Sequence, residues 1–361
     1  MVDEWVKDLI DEVLSLSRSL KEKLGRRIKI MEVCGTHTMV ISKSGIRSLF
    51  SETVELISGP GCPVCVTDQM DIDKIILYAQ MDNITLCTFG DMIKVPGSLS
   101  SLEKERAKGA RIEVFYSPSD ALNYAKDHPD EEIVFVGIGF ETTIPLLAHC
   151  ILEAKRQRLQ NFSLFSLHKC LPPAMKALLD DPEISLDGLI LPGHVCTITG
   201  SRAFEFIADD YRIPCCVSGF EPTDVIEAIG IILAHIKREE AKVEIGYKRL
   251  VKPEGNLTAK RAIYTVFEPS DARWRGFGEI PGSGLKIKEE YRDFDAEAKF
   301  PLPEVESVPE RKGCICGDIV KGKKIPTDCS LFSKVCNPKE PFGPCMVSQE
   351  GACAAYYNYG G

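Results

Sequence analysis

Residues 28–37 read Ile28-Lys29-Ile30-Met31-Glu32-Val33-Cys34-Gly35-Thr36-His37. The alternation through Val33 is that of a β-strand, and a helix-like segment follows. A cysteine, a glycine and a histidine therefore sit where a strand hands over to a helix. The same unit recurs along the chain. Val54–Ile57, Ile84–Phe89, Arg111–Phe115, Ile133–Ile138, Leu186–Leu191 and Ile213–Val217 read as further strands separated by helical stretches. Thr67 is the expected cap of the helix carrying Ile72, Ile75 and Ile76. Strands alternating with helices predict parallel sheets covered on both faces, an α/β fold.

Residues of reactive type cluster after these strands. Cys34 and His37 follow the first, and Gly59-Pro60-Gly61-Cys62-Pro63-Val64-Cys65 the second. Gly90-Asp91 follows the third, and Glu141, His194 and Glu221 take equivalent places later. In open α/β sheets the crevice at the carboxyl ends of the strands is the usual ligand site, so these loops are expected at one edge. Cys34, at a strand-to-helix turn, is expected to have a lowered pKa from the helix N-terminus. A thiolate there is a soft metal ligand and equally a nucleophile, with His37 in reach as acid, base or orienting partner. Cys62-Pro63-Val64-Cys65 is a CxxC at a helix mouth, which suits a dithiol–disulfide couple. Half a zinc site is the alternative, although no second CxxC exists in the chain. Gly137-Ile138-Gly139 is a poor dinucleotide signature, because Thr142 stands where its third glycine belongs.

At 361 residues, two or three domains are expected. The expected boundaries are 1–130 for an N-terminal helix and first α/β domain, 131–240 for a second, and 241–361 for a C-terminal region where the βα rhythm fades. Gly139-Phe140-Glu141 and Gly219-Phe220-Glu221, each after a strand, hint at two related halves; matches this short arise as readily by chance. The net charge of −9 argues against a nucleic-acid partner. The first helix, with Trp5, Val6, Leu9, Ile10, Val13 and Leu14 at helical spacing and Gly25 as its cap, is not a signal sequence. Val225–Ile236, the most apolar later stretch, contains Glu227 and is too short to cross a bilayer. A cytosolic protein is expected.

In that compartment the 15 cysteines point to metal or redox chemistry and not to structural disulfides. Cys87, Cys150, Cys170, Cys196, Cys215 and Cys216 are read as small buried hydrophobes. Six others, Cys314, Cys316, Cys329, Cys336, Cys345 and Cys353, fall within forty residues, separated by 1, 12, 6, 8 and 7 intervening residues. That spacing fits no zinc finger. A 4Fe-4S cluster takes four thiolates, leaving two for thiol chemistry, and the spacing does not say which.

Taken together, Cys34-Gly35-Thr36-His37, the Gly59–Cys65 loop, Phe89-Gly90-Asp91-Met92, Gly139-Phe140-Glu141-Thr142-Thr143, Pro192-Gly193-His194-Val195, Trp274-Arg275-Gly276 and the tail from Cys314 through Gly351-Ala352-Cys353-Ala354-Ala355-Tyr356-Tyr357 resemble the HypD family of NiFe-hydrogenase maturation factors, over essentially the whole chain. The resemblance implies two related parallel-sheet α/β domains plus a C-terminal cysteine-rich iron–sulfur domain. It implies a scaffold, not a conventional turnover enzyme, on which an iron carrying two cyanides and one carbon monoxide is assembled with the small chaperone HypC. HypE would deliver cyanide, and the hydrogenase large subunit would receive the unit. Cys34 would be the iron ligand from this chain, with His37 and Asp91 lining the site.

The family's tail is similar to that of ferredoxin–thioredoxin reductase. That likeness implies Cys314, Cys329, Cys336 and Cys353 as cluster ligands and Cys316 with Cys345 as the adjacent thiol pair. A relay from cluster to that pair, to Cys62 and Cys65 and on to the iron would require the tail to fold back onto the strand ends. A disulfide reductase and a plain iron–sulfur electron carrier are the competing functions.

Overall fold

A computed structural model describes residues 4–305 and 312–360. Its strands are β1 (Ile28–Glu32), β2 (Val54–Ser58), β3 (Ile84–Thr88), β4 (Ile112–Val114), β5 (Glu132–Gly137), β6 (Phe162–Ser166), β7 (Gly188–Pro192), β8 (Cys215–Ser218), β9 (Val243–Ile245), β10 (Phe267–Trp274) and β11 (Gly278–Ile287). Two parallel sheets form, ordered β2-β1-β7-β8-β9 and β4-β3-β5-β6. Their middle strands are buried on both faces: Ile133, Val134, Phe135 and Val136 have no exposed surface. Continuous apolar runs of this kind suit a sheet sandwiched between helices.

The second sheet is inserted in the first. β3, with β4 at its side before residue 130, pairs with β5 and through it joins β6, whereas β1, with β2 on its other edge, pairs with β7 some 158 residues later. The strands thus regroup across the expected 130/131 boundary. Local sequence fixes that a segment is a strand; which strand lies beside it depends on packing between distant segments. The reactive loops divide accordingly. Cys34, the CxxC, His194 and Glu221 belong to the first sheet, and Asp91 and Glu141 to the second, instead of sharing one edge.

The first helix, Glu4–Leu24, ends at Gly25 (φ +69°) and lies on the Pro222–Arg238 helix, where Gly230 brings it close to Val13. Asp68, not Thr67, caps the Gln69–Ala79 helix: its carboxylate accepts from Met70 N, while the Thr67 hydroxyl turns back to Pro63 O.

β10 and β11 form an antiparallel hairpin with an irregularity at Asp271. One end meets the second sheet, where Cys170 N donates to Ser283 O (2.8 Å) and Ser166 Oγ to Leu285 O (2.8 Å). The other end carries Trp274-Arg275-Gly276. Trp274 is fully buried, with its indole N–H on Ser283 Oγ (2.8 Å). Arg275 donates from its backbone to Val66 O (2.8 Å) and from Nε to Thr67 O (3.1 Å), satisfying carbonyls at the end of the short Pro63–Val66 helix. Gly276 (φ +80°) lies so close to Gly317 that an added Cβ would be 2.6 Å from the Gly317 carbonyl oxygen. Gly276→Ala therefore meets both a left-handed backbone and a steric block, and should cost about 2 kcal/mol or more. A lowered denaturant midpoint checks this; an unchanged midpoint would show the contact to be dispensable.

Candidate functional site

Cys34 follows β1 in an extended conformation (φ −149°, ψ 124°) and is the N-cap of the Gly35–Lys43 helix. It is half-buried. Glu32, the last residue of β1, is buried beneath it, accepting from Cys34 N (3.0 Å) and from the Thr38 hydroxyl. The CxxC loop presses on the same backbone: Gly35 N donates to Gly61 O (2.9 Å), and a Cβ on Gly61 would come within 2.1 Å of Cys34 N. From the opposite side comes the tail. A Cβ on Gly35 would be 2.5 Å from Glu350 Cβ, and Thr36 Oγ1 donates to Glu350 Oε1 (2.6 Å).

This enclosure reverses the expected acidity. Burial first, then the Glu350 and Glu32 carboxyls, push the Cys34 thiol up to about 12, against backbone N–H groups at the helix start that pull it down. A helix terminus offers a fraction of a charge, and here desolvation outweighs it. Burial likewise raises Glu32 to about 7, opposed by its bonds to Thr38 and Cys34 and by Arg47.

His37 is buried, and its Nε2 bonds to Gly219 O at 2.8 Å. A carbonyl only accepts, so Nε2 carries the proton and Nδ1, buried without a partner, is left as an acceptor. Burial lowers the His37 pKa to about 4, so the ring is neutral near pH 7. Phe220 stacks between His37 (4.8 Å) and His194 (3.8 Å). Asp91 is exposed and accepts from Ser348 Oγ (3.2 Å), two residues before Glu350. The tail thus touches loops from both sheets.

Cys62 and Cys65 are buried and joined as a disulfide, and Cys65 N also donates to Cys62 Sγ (3.2 Å). Against the Pro63–Val66 helix between them pack the two short tail helices, Cys316–Val320 and Pro344–Val347, while the last helix, Ala352–Tyr359, packs on Gly35–Lys43. Arg47 lies over the Tyr356 ring at 4.8 Å, holding that last helix in place.

All six tail cysteines line one cavity with Ile315, Leu331, Phe342 and Met346. Cys316 Sγ and Cys345 Sγ are 2.6 Å apart. Cys345 also leans on Cys353, and Cys336 feels both Cys353 and Cys329. Phe342 N donates to Cys336 Sγ (3.3 Å), and a Cβ on Gly343 would be 2.8 Å from Cys314 Sγ, so that glycine leaves room beside the sulfur. Among the described residues, no three His, Cys, Asp or Glu side chains converge as a single ion requires. The cavity as it stands encloses only about 10 Å³, so it is the chemistry of the donors, six soft thiols, and not the space between them that fits an iron–sulfur cluster.

Sequence reasoning missed Glu350, Thr36, Ser348, Phe220 and Gly61 as site residues. Thr36, Gly61 and Phe220 carried a local signal, lying inside quoted motifs; Glu350 matters through a bond to Thr36, 314 residues away. Of the six cysteines read as hydrophobes, five are fully buried and Cys170 is only partly so.

Fold and site together define a two-sheet α/β protein in which a cysteine-rich tail docks against the loops that carry Cys34 and the CxxC pair. A family model described as HypD, hydrogenase formation hypA family, matches residues 6–360. Similar proteins include the hydrogenase maturation factor HypD of Rhodobacter capsulatus (44% identical, covering 98% of this chain and 95% of that one). Those of Escherichia coli strain K12 (42%, 99% and 95%) and Azotobacter vinelandii (45%, 93% and 90%) are comparable. The chain belongs to the HypD family of hydrogenase maturation factors.

Away from Cys34, Glu141 is raised to about 7, chiefly by burial and against N–H bonds from Leu171 and its own backbone. A raised folded pKa means the native state holds a proton that the unfolded chain has released, so stability falls as pH climbs from about 4.5 to 7 and then levels. Glu141→Gln removes that share, on the order of 1–3 kcal/mol. Denaturant midpoints at pH 5 and pH 8 should differ less in the variant than in the parent. Equal differences would refute the assignment.

Proposed function

We propose that this chain is the platform on which the Fe(CN)2CO unit of a NiFe-hydrogenase is assembled together with HypC. The supporting observation is that the Cys34 loop, the CxxC helix and the cysteine-rich tail, far apart in sequence, meet at backbone contact.

In this reading the iron fragment is cargo. Cys34 supplies one soft ligand and a HypC cysteine the other. The raised thiol pKa keeps Cys34 protonated until metal displaces the proton, since thiolate ligation releases one. His37, neutral and fixed by Gly219, offers Nδ1 as a proton or hydrogen-bond acceptor, not as a donor to cyanide. Asp91, tethered through Ser348 to the segment carrying Glu350, borders the same space. HypE brings the cyanide, and HypC carries the finished unit to the hydrogenase large subunit.

Cys314, Cys329, Cys336 and Cys353 would hold a 4Fe-4S cluster, which when bound supplies one-electron chemistry. Cys316 and Cys345 form the neighbouring thiol pair. Thiolate attack from that pair on the Cys62–Cys65 bond, resolved by the second thiol, leaves Cys316–Cys345 as the disulfide and Cys62 and Cys65 as a dithiol. The packing of both tail helices on the Pro63–Val66 helix favours this exchange. No described helix is long and apolar enough to cross a membrane; we place the work in the cytoplasm, where thiols stay reduced.

Infrared spectra of the chain purified with HypC should contain cyanide and carbonyl stretching bands that vanish in Cys34→Ala. Bands that survive the substitution would remove Cys34 as the ligand. No bands in the parent, alongside reduction of a protein disulfide, would make the chain a reductase instead. Anaerobic protein should also hold about four iron and four sulfide per chain, both falling in Cys329→Ala. Zinc without sulfide would end the cluster assignment.

A further inference from the structure

A second cavity, of about 250 Å³, lies at the start of the Leu171–Leu179 helix. Glu141, Cys170 and Tyr264 line it, with apolar walls that include Ile144, Pro172 and Leu285. Nothing in the proposed iron chemistry uses it. Glu141 is 6% exposed. Its Oε1 accepts from Leu171 N (2.9 Å), and its Oε2 is buried with no partner. An orphaned buried acceptor is uncommon and asks for an explanation.

The neighbours narrow what can satisfy it. Pro172 and Pro173, the next two residues of the helix, have no N–H. The Leu171 N–H is already taken by Glu141, so this helix start has no amide donor at those positions for an anion. Of the cations nearby, Lys260 is itself on the cavity lining, and neither it nor Lys169 bonds to Glu141. Lys260 Nζ donates to Glu254 O (2.8 Å), and Lys169 Nζ, on a residue 2% exposed, pairs with Asp71 (3.2 Å). What remains without a partner is one buried carboxyl oxygen, on a lining that is mostly apolar but also carries Thr199, Tyr264 and Lys260, none of which bonds to it. A bound group must therefore bring its own donors, and a cationic donor gains most, because charge-assisted bonds to carboxylate are about twice as strong as neutral ones.

We infer that this cavity binds an alkylammonium group, its head on Glu141 Oε2 and its short apolar stem against Ile144, Pro172 and Leu285. The volume equals about eight waters at ~30 Å³ each, room for a head group and a few carbons. The same chemistry is presented by a free small amine and by a lysine side chain of a docking protein.

Calorimetric titration of the full chain in amine-free buffer tests this with n-butylammonium, the isosteres n-butanol and n-butyrate, and Nα-acetyl-lysine methylamide. A five-atom ligand should saturate one site with a Kd on the order of 1 mM. Glu141→Gln keeps the oxygen that caps Leu171 and should weaken butylammonium at least about tenfold, the effect of losing one charge-assisted bond. Ala203→Phe, at another cavity-lining and only partly buried position, fills the space and decides the matter if the first variant is unstable. Binding by butylammonium alone assigns a small amine, and tighter binding of the lysine derivative assigns a protein side chain. No saturation by either cation, equal binding of butanol, or full affinity in both variants would overturn the inference.

Discussion

The arrangement rests on backbone meeting backbone without a side chain between. Gly61 lies against the Cys34 main chain and Gly35 against Glu350, at separations where any Cβ would collide. A glycine has no rotamer to rearrange, so each contact holds a position that no larger residue could hold. The Cys34 loop is thus fixed from two sides, by the strand–helix turn that brings the CxxC and by the end of the chain. The electrostatics follow from this closeness. With two carboxyls and little solvent around it, a thiol keeps its proton, and a soft metal is the partner best able to displace it.

The hairpin extends the same logic. It is bonded at one end to β6 and the residues just after it, and at the other to the terminal carbonyls of the CxxC helix. Gly276 then sets the hairpin against Gly317, beside Cys316. Second sheet, CxxC helix and tail are therefore braced by one rigid element, with Trp274 wedged at its corner. Displacing any one of the three would disturb contacts made by the other two, so the thiol-bearing segments have little freedom to drift apart.

Much of this was legible in the sequence. Seven strands announced themselves because buried parallel strands are short runs of Val, Ile and Leu, and the reactive loops because they follow such runs. β6 was overlooked although Phe162-Ser163-Leu164-Phe165-Ser166 has strand character, and β10 and β11 because Pro269, Asp271 and several glycines dilute their pattern. Strand pairing was not readable, since parallel neighbours are chosen by the packing of distant segments. The dense tail cysteines stood out at once. Their grouping around one cavity, and the parts played by Glu350 and Arg275, depend on contacts that span most of the chain.

The nested sheets bear on how the molecule is made. Lys29 N–H waits for Asp187, 158 residues further on, and Thr36 for Glu350, 314 residues on. On the ribosome β1 and β2 emerge first, yet they stay half a sheet until the whole inserted unit has been synthesised. The inserted sheet has all four strands by residue 166 and can organise ahead of the one that encloses it. Pairings this distant are slow to form, and the early strands must be kept from wrong partners meanwhile. The thiol at residue 34 is translated well ahead of the segments that enclose it and reaches its final surroundings only once Glu350 is in place.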